Sequence, residues 1–291
     1  MSGKADIPRR IALVVNDASG SYSPEAVEAL RETFASHDIE VARCITVPED
    51  DVPSGDELDA DGIEYLAVFA GDGTISRTVK TLDGWGGAVL PLPGGTMNLL
   101  CGRLHGEDAS EEEIVARVAK GDMRLSCEPV VRQDDRQSLV GVSCGPGVHW
   151  YHVREAMRHA TDKGGLGELV DETGEAMDLT LNGPMVVCRT PQVGRDEGYA
   201  LIELEPEEDG IHVIAYTAQD FGGYLKQGLA MILRKFREGP HERLCRAEEV
   251  TIAALEGGKM ELSFDGEPVD GAASETFRLE RCPVRLVVTG T

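Results

Sequence analysis

The segment Gly71-Asp72-Gly73-Thr74 carries the clearest chemical potential in the chain, and it directly follows the apolar run from Tyr65 to Ala70. Glycine lets backbone N–H groups come close to phosphate oxygens, and a helix that starts at such a turn adds a favourable dipole. A carboxylate there can hold Mg²⁺ or accept a proton from a hydroxyl group. Ile75, Val79 and Leu82 then continue with helical spacing. Taken alone, the segment is more typical of a hairpin turn than of a catalytic turn, so the surrounding elements decide between the two interpretations.

Two further turns rich in glycine and polar residues follow apolar runs of the same kind. Residues 16–21 (N-D-A-S-G-S) follow Ile11 to Val15, and residues 92–98 (L-P-G-G-T-M-N) end the run that starts at Ala88. In a parallel sheet, ligands bind beyond the carboxyl ends of the strands. We therefore expect the three turns to lie at one edge of a sheet, where an active site belongs.

The elements that must position these turns alternate between strand and helix patterns over the first 125 or so residues. Short apolar runs indicate strands that are covered on both faces, and cap residues mark the helix starts. Ser23 with Pro24 begins one helix, and Ser110 with Glu113 begins another that runs to about Lys120. The pattern predicts a parallel α/β sheet. Its predicted strands are Ile11–Val15, Ile39–Val47, Tyr65–Ala70 and Ala88–Leu92, with an acidic loop from Glu49 to Gly62.

The second half of the chain shows short alternating stretches separated by turn residues, which predict an antiparallel β domain. We place the boundary between domains 1–126 and 127–291 and leave open that the last strand returns to the first domain. Helical insertions are expected at about 151–161 and 228–236. The predicted strands are Leu139–Ser143, Met185–Arg189, Tyr199–Leu204, Ile211–Tyr216, Val250–Ala254, Lys259–Phe264 and Val284–Val288.

The net charge is −24, from 52 acidic and 28 basic residues. Such a charge repels nucleic-acid phosphates, so a nucleic-acid partner is disfavoured. The seven cysteines contain no C-x-x-C pair, which favours reduced thiols. The N-terminal apolar run is too short for a signal peptide, and no stretch approaches 18 apolar residues. We therefore expect a cytoplasmic protein; the sequence leaves a homodimer and peripheral contact with the inner membrane face open.

The order of the three turns resembles the catalytic domain shared by diacylglycerol kinases, sphingosine kinases and bacterial lipid kinases. That family shows N-P-x-S-G, G-G-D-G-T and P-x-G-T-x-N-D, where this chain has N-D-A-S-G, A-G-D-G-T and L-P-G-G-T-M-N. In the second half, residues 142–147, 208–211 and 264–267 resemble the family's glycine-rich strand, acidic turn and D-G-E turn. The resemblance implies a phosphofructokinase-like α/β nucleotide-binding domain followed by an antiparallel β-sandwich.

The resemblance also implies an ATP- and Mg²⁺-dependent phosphotransferase that acts on a lipid hydroxyl, with diacylglycerol or a related lipid as the acceptor. Asp72 is the first candidate for the proton acceptor or for a Mg²⁺-linked carboxylate. Glu267 is the other candidate base, supported by Asp265. Asp209 is a candidate metal ligand. By position, the residues expected to hold the nucleotide are Asn16, Ser19, Gly20, Thr46, Gly71, Gly73, Thr74, Gly95, Thr96 and Asn98.

Two departures from the family pattern keep other functions open. Leu99 stands where the pattern has Asp, and Pro206 stands where the acidic turn has a second carboxylate, for which Glu205, Glu207 or Glu208 could substitute. The alternatives are a non-catalytic nucleotide- or lipid-binding regulator and a kinase of a soluble acceptor, similar to NAD kinases.

One basic segment stands out in the acidic chain. Residues 226–246 are rich in Lys and Arg, and they could lie on a membrane surface as an amphipathic helix or pack as an ordinary helix. His152, Glu155 and His159 could share a helix face and bind a metal, although a solvated face is the simpler interpretation.

Overall fold

The computed structural model describes residues 6–95, 97–149, 178, 183–217 and 241–290. These residues divide into two units. The first unit contains Met1–Glu128 together with Arg281–Thr291, and the second contains Pro129–Glu280. The predicted helical insertions at 151–161 and 228–236 lie outside the described residues, as do His152, Glu155 and His159 and all of the basic segment except residues 241–246.

The elements of the first unit before the chain enters the second are β1 (Arg10–Asn16), α1 (Pro24–Ser36), β2 (Glu40–Val47), α2 (Gly55–Ala60), β3 (Tyr65–Ala70), α3 (Asp72–Thr81), β4 (Ala88–Pro93), α4 (Leu99–His105), α5 (Glu111–Ala119) and β5 (Arg124–Ser126). The second unit contains β6 (Pro129–Gln133), β7 (Arg136–Ser138), β8 (Val142–Cys144), a 3-10 turn (Pro146–His149), β9 (Val186–Thr190), β10 (Leu201–Glu207), β11 (Gly210–Tyr216), β12 (Glu242–Ala247), β13 (Glu249–Ala254), β14 (Glu261–Phe264), β15 (Glu267–Asp270) and β16 (Ser274–Arg281). The last strand is β17 (Arg285–Val288).

The first unit is built on a largely parallel sheet with the strand order β2-β1-β3-β4-β17-β5 within the described ranges. β1 pairs in parallel with β2 and β3, β3 with β4, and β4 with β17, whereas β5 pairs antiparallel to β17. All six residues of β3 are buried, as expected for a strand covered on both faces. The apolar runs at β1, β3 and β4 therefore predict these strands correctly.

The helix starts of the first unit follow local capping chemistry. Ser23 accepts a hydrogen bond from the Ala26 amide at 3.1 Å, and Pro24 is the first residue of α1. Ser110 accepts one from the Glu113 amide at 3.3 Å and begins α5. Both predicted helix starts are confirmed.

Two short helices were not predicted. The expected loop from Glu49 to Gly62 contains α2, which starts at a full capping box between Ser54 and Glu57. Its six residues are too few to show a helical period, which is why the prediction of a loop is wrong over Gly55–Ala60. α4, directly after the third turn, has seven residues.

The second unit contains two β-sheets whose inner faces share one core. Within the described part of the chain, their strand orders are β12-β11-β10-β8-β14-β15 and β7-β6-β16-β13-β9. β10 pairs antiparallel with β8 and β11, and β13 pairs antiparallel with β9 and β16. Leu204 and Leu262 of the first sheet and Ile252 and Phe277 of the second belong to one buried cluster. The predicted β-sandwich is therefore confirmed.

The predicted strand Leu139–Ser143 is wrong over most of its length. β7 ends at Ser138 and β8 begins at Val142, so the chain between them is not a strand. The amides of Leu139 and Val140 donate to the side chain of Asp265 and are not used in a sheet. The predicted strand at Val284–Val288 is found as β17, and it lies in the sheet of the first unit.

None of the helices in the described ranges combines the length and the apolar character needed to cross a bilayer.

His105, the last residue of α4, connects this helix to β4 and to Thr289 through hydrogen bonds. Its side chain is buried, its Nε2 lies 3.0 Å from the Pro91 carbonyl oxygen, and its Nδ1 lies 2.9 Å from Thr289 Oγ1. The carbonyl accepts from Nε2–H, so Nδ1 of the neutral ring accepts from the Thr289 hydroxyl. Burial lowers the pKa of His105 to about 4 from an ordinary value of 6.5.

We predict that this histidine makes the protein less stable in mild acid. Because the pKa of His105 is lower in the folded than in the unfolded state, the unfolded chain binds the extra proton as the pH falls from 6.5 to about 4. The resulting loss of unfolding free energy is on the order of 3 kcal/mol. Chemical unfolding at several pH values should show that the unfolding free energy of the wild type falls over this pH range. The unfolding free energy of a His105→Gln variant should fall by about 3 kcal/mol less. If the unfolding free energies of the two proteins depended on pH in the same way, the role given to His105 would be contradicted.

Candidate functional site

The structure brings the three turns of the first unit together at the carboxyl edge of its sheet. β1, β3 and β4 are parallel, with β3 in the middle, so the turns that follow them start at the same edge. Asn16 Nδ2 donates to Thr74 Oγ1 at 2.7 Å, which joins the first turn to the second. Ser19 Oγ donates to the Gly94 carbonyl oxygen, which joins the first turn to the third. The Gly94 amide donates to the Ala70 carbonyl oxygen at 3.2 Å, which joins the third turn to the end of β3.

The first turn is also held by its own hydrogen bonds. Asn16 Oδ1 accepts from the Ala18 amide at 2.9 Å, and the Asn16 carbonyl oxygen accepts from the Ser19 amide at 3.0 Å. The Asn16 side chain therefore uses its oxygen inside the first turn and its nitrogen on the second turn. This explains why an asparagine suits the end of β1, since it offers a donor and an acceptor on one short side chain.

The glycines of the third turn are needed for close contact between backbones. A Cβ atom at Gly95 would lie 2.5 Å from the Gly71 Cα atom, and one at Gly94 would lie 2.6 Å from the Ala70 nitrogen. Real Cβ atoms essentially never come so close to backbone, so any side chain there would force the two turns apart. Sequence reasoning assigned Gly95 to phosphate binding and left Gly94 out. The structure gives both a packing role that the pattern alone could not reveal.

Helix α3 starts at the second turn and points its N-terminus to the carboxyl edge of the sheet. It begins at Asp72, and its first intrahelical bond runs from the Ile75 amide to the Gly71 carbonyl oxygen at 3.1 Å. The first amides of a helix have no acceptor within the helix, and its dipole is positive at this end. Gly71, Gly73 and Thr74 are half-buried, so the turn is accessible to a ligand. An anionic group such as a phosphate fits this position.

Asp72 contacts the backbone of a second helix. Its Oδ2 accepts from the Leu99 amide and its Oδ1 from the Leu100 amide, each at 3.0 Å. These are the first two residues of α4. Asn98, which precedes them, has a φ of 51° and gives α4 no side-chain cap, because its side chain exchanges two hydrogen bonds with Gly95 at 2.7 and 2.8 Å. Asp72 therefore supplies the N-terminal cap of α4 from a different turn.

The remaining nucleotide candidates lie near the same edge or outside the described residues. Thr46 pairs with Val15 at the end of β2, next to β1, and its amide donates to Asp50 Oδ2 at 3.1 Å. Gly20 is exposed in the turn after β1. Thr96 lies outside the described residues.

In the second unit, the D-G-E turn is a tight hairpin between β14 and β15. Asp265 and Gly266 have φ values of 50° and 86°, and Phe264 pairs with Glu267 across the turn. This combination of two positive φ angles is typical of a two-residue hairpin. Glu267, the candidate base, is half-buried at the first position of β15.

The Asp265 carboxylate fixes this hairpin to the segment between β7 and β8. It accepts from Ser138 Oγ at 2.5 Å and from the amides of Leu139, Val140 and Gly141 at 3.1, 2.8 and 3.2 Å. Because the carboxylate is charged, these bonds are stronger than bonds between neutral groups.

Asp209, the candidate metal ligand, is held by two basic side chains. Its Oδ1 lies 2.7 Å from His212 Nε2, and its Oδ2 accepts from Arg246 Nη1. The hydrogen bond with His212 and the charge of Arg246 hold the pKa of Asp209 below its ordinary value. Within the described ranges, no three His, Cys, Asp or Glu side chains lie close enough together to share a metal ion. The metal assignment of Asp209 stays a prediction.

Comparisons with known proteins show which family the first unit resembles. Residues 10–126 match the family model described as the diacylglycerol kinase catalytic domain. These residues belong to the diacylglycerol kinase catalytic domain superfamily. The expected resemblance is thereby confirmed for residues 10–126. The matched range runs from β1 to β5 and includes all three turns of the candidate site.

Solved structures of similar proteins extend the likeness in fold to nearly the whole chain. A candidate diacylglycerol kinase of Bacillus anthracis str. Sterne is 14% identical, with a TM-score of 0.60 over 98% of this chain and 96% of the other. A diacylglycerol kinase of the same organism is 13% identical, with a TM-score of 0.58 over 96% of this chain and 97% of the other. At such low identity the likeness shows the two-unit fold alone. No curated protein matches the chain.

We predict that Gly95→Ala destabilises the first unit, whereas Gly86→Ala does not. The new methyl group at residue 95 would clash with the backbone of the second turn, and this should lower the unfolding free energy by about 1–3 kcal/mol. A Cβ atom at Gly86 meets nothing within 4 Å, so this matched variant should unfold like the wild type. Urea unfolding followed by circular dichroism measures both. Equal midpoints for the two variants would show that the turns do not depend on this contact.

A second prediction concerns Asp265. Replacement by Asn removes the charge that four donors share, so we expect a loss of about 2 kcal/mol in unfolding free energy. Asp270→Asn, at an exposed position on the same hairpin, serves as the control and should change stability by less than about 0.5 kcal/mol. Chemical unfolding of the two variants side by side is the measurement. A loss no larger for Asp265→Asn than for the control would be inconsistent with the role given to this carboxylate.

Proposed function

We propose that the protein is an ATP-dependent lipid kinase that transfers the γ-phosphate to a hydroxyl group of diacylglycerol or a related lipid. The main support for the proposal is the position of the N-terminus of α3, which lies where the three hydrogen-bonded turns meet. The family supports a phosphotransferase, and the similarity in fold to diacylglycerol kinases supports diacylglycerol as the acceptor.

The residues of the first unit suit the phosphates of ATP. The amides of Gly73 and Thr74 lie in the first turn of α3, where the helix dipole favours negative charge. Asn16 and Ser19 hold the turns in place, so they order the site before the nucleotide arrives. Such preorganisation matters for phosphoryl transfer, which depends on positioning and charge neutralisation more than on covalent chemistry.

Mg²⁺ is the second component that the kinase family implies. In nucleotide sites this ion keeps several waters and is bound through one or two carboxylates and the phosphates of the substrate, so it requires no dedicated cluster of protein ligands. When bound, it neutralises charge on the β- and γ-phosphate oxygens.

The reaction itself is an in-line displacement. The hydroxyl oxygen of the acceptor attacks the γ-phosphorus, the bond from this phosphorus to the β,γ-bridging oxygen breaks, and ADP leaves with the electron pair. A carboxylate takes the hydroxyl proton. Asp72 and Glu267 are the two candidates for this carboxylate.

A non-catalytic nucleotide- or lipid-binding protein is the second candidate function. Leu99 favours it, because the family's typical carboxylate at this position is missing. Tight ATP binding without turnover on any acceptor would support this second candidate.

The test of the main proposal is transfer from [γ-³²P]ATP to a total lipid extract and, separately, to a pool of soluble metabolites. The proposal expects label in a lipid phosphate in the first reaction. Label in a soluble product would support a kinase of a soluble acceptor, and absence of label in both reactions would overturn the kinase assignment.

We further predict that Glu267→Gln lowers kcat for lipid phosphorylation by about 100-fold or more, the size expected for the loss of a general base. ATP affinity, measured by calorimetry, should stay within about twofold of the wild type, because a base that acts on the acceptor contributes little to nucleotide binding. Glu256→Gln, at an exposed turn position of the same unit, is the matched control and should retain full activity. An unchanged kcat in Glu267→Gln would remove this residue from the mechanism.

A further inference from the structure

We propose that Asp72 is a positioning residue that fixes the N-terminus of α4 beside the phosphate-binding turn, and that it does not take the proton of the acceptor hydroxyl. This inference rests on the proposed function, because it assigns a role within that reaction. It departs from the sequence-based expectation, in which Asp72 is the first candidate for the proton acceptor or for a Mg²⁺-linked carboxylate.

The first argument is the geometry of the carboxylate. Each of its two oxygens accepts a hydrogen bond from a different, consecutive amide of α4, and both distances are 3.0 Å. A carboxylate that meets two successive amides at a helix start is acting as a cap, and capping is worth about 1 kcal/mol in typical helices. The preceding residue, Asn98, provides no such cap to this helix.

The second argument is the distribution of charge around α4. The first turn of this helix contains no acidic residue, and Leu99 occupies the position at which the family pattern has Asp. The charge that complements the positive end of the helix therefore comes from Asp72. A proton taken by this carboxylate would remove the charge that the two amides and the helix dipole stabilise.

The third argument is what the cap connects. Asp72 is the first residue of α3, so one side chain joins the starts of α3 and α4. At its other end, α4 is fixed by His105, which contacts Pro91 and Thr289. Both ends of α4 are thus held in place, the N-terminus by Asp72 and the C-terminus by His105. Asp72 is the contact at the end of α4 that faces the phosphate-binding turn.

Cys101 offers an independent reporter of this arrangement. It lies in the first turn of α4, two residues after the first capped amide, and its side chain is only 2% exposed. Burial, together with the nearby charge of Asp72, raises the pKa of its thiol well above the ordinary value, so the thiol is unreactive while the helix is intact. Loss of the cap should expose this thiol to alkylation.

The experiment compares Asp72→Asn and Asp72→Ala with Asp83→Asn, a control at an exposed position just after α3. Hydrogen exchange of the peptide that contains the α4 amides, and alkylation of Cys101 by iodoacetamide read by mass spectrometry, report on the cap without any need for activity. We expect both rates to rise about tenfold in Asp72→Ala, to rise less in Asp72→Asn, which keeps one acceptor oxygen, and to stay unchanged in the control. Wild-type rates in Asp72→Ala would overturn the proposal.

The pH dependence of kcat distinguishes a positioning residue from a base. If Asp72 positions α4, Asp72→Asn lowers kcat but keeps the acidic limb of the pH–rate profile at the wild-type midpoint. Disappearance of this limb in Asp72→Asn would identify Asp72 as the base and overturn the proposal. A wild-type protein that transfers no phosphate would instead overturn the proposed function, and the exchange and alkylation rates would still decide whether Asp72 caps α4.

Discussion

The contact between the turns after β3 and β4 is the constraint on which the candidate site depends. These two backbones come so close that a Cβ atom at Gly95 would lie 2.5 Å from the Gly71 Cα atom, so no side chain fits at residue 95. Only because they meet can the carboxylate after β3 reach the amides that follow β4. The first turn then joins them through Asn16 and Ser19. The contacts of Gly95, Asp72, Asn16 and Ser19 thus hold the three turns together at one edge of the sheet.

The sequence predicts the first unit well because its signals are local. A buried parallel strand is a continuous apolar run, and a helix start is a cap residue followed by a suitable third residue, as at Ser110 and Glu113. The same logic fails where the deciding partner is far away in the chain. The segment after Ser138 alternates like a strand, yet its amides bind a carboxylate that lies 125 residues after Val140. No pattern within the segment indicates this partner.

The candidate site shows the same division. The residue types at the three turns could be identified from the sequence, because glycines and short polar side chains at strand ends have a known chemical use. Their individual tasks could not be identified. Gly95 is expected from the sequence to approach phosphate, but its nearest neighbours include backbone atoms of Gly71 in the adjacent turn. The partners of Asp72 are backbone amides, which every residue possesses, so no residue type at positions 99 and 100 could have revealed them.

The place of β17 in the sheet has a consequence for the order in which the chain folds. β17 lies between β4 and β5, and it is synthesised after the entire second unit. Until it arrives, β4 has an open edge and β5 has no neighbour in the sheet. A growing chain can therefore complete the sandwich of the second unit before the sheet of the first unit, which reverses the usual order of N-terminal domain first. The sheet of the first unit is completed only when β17 has left the ribosome, after all of the second unit has been made.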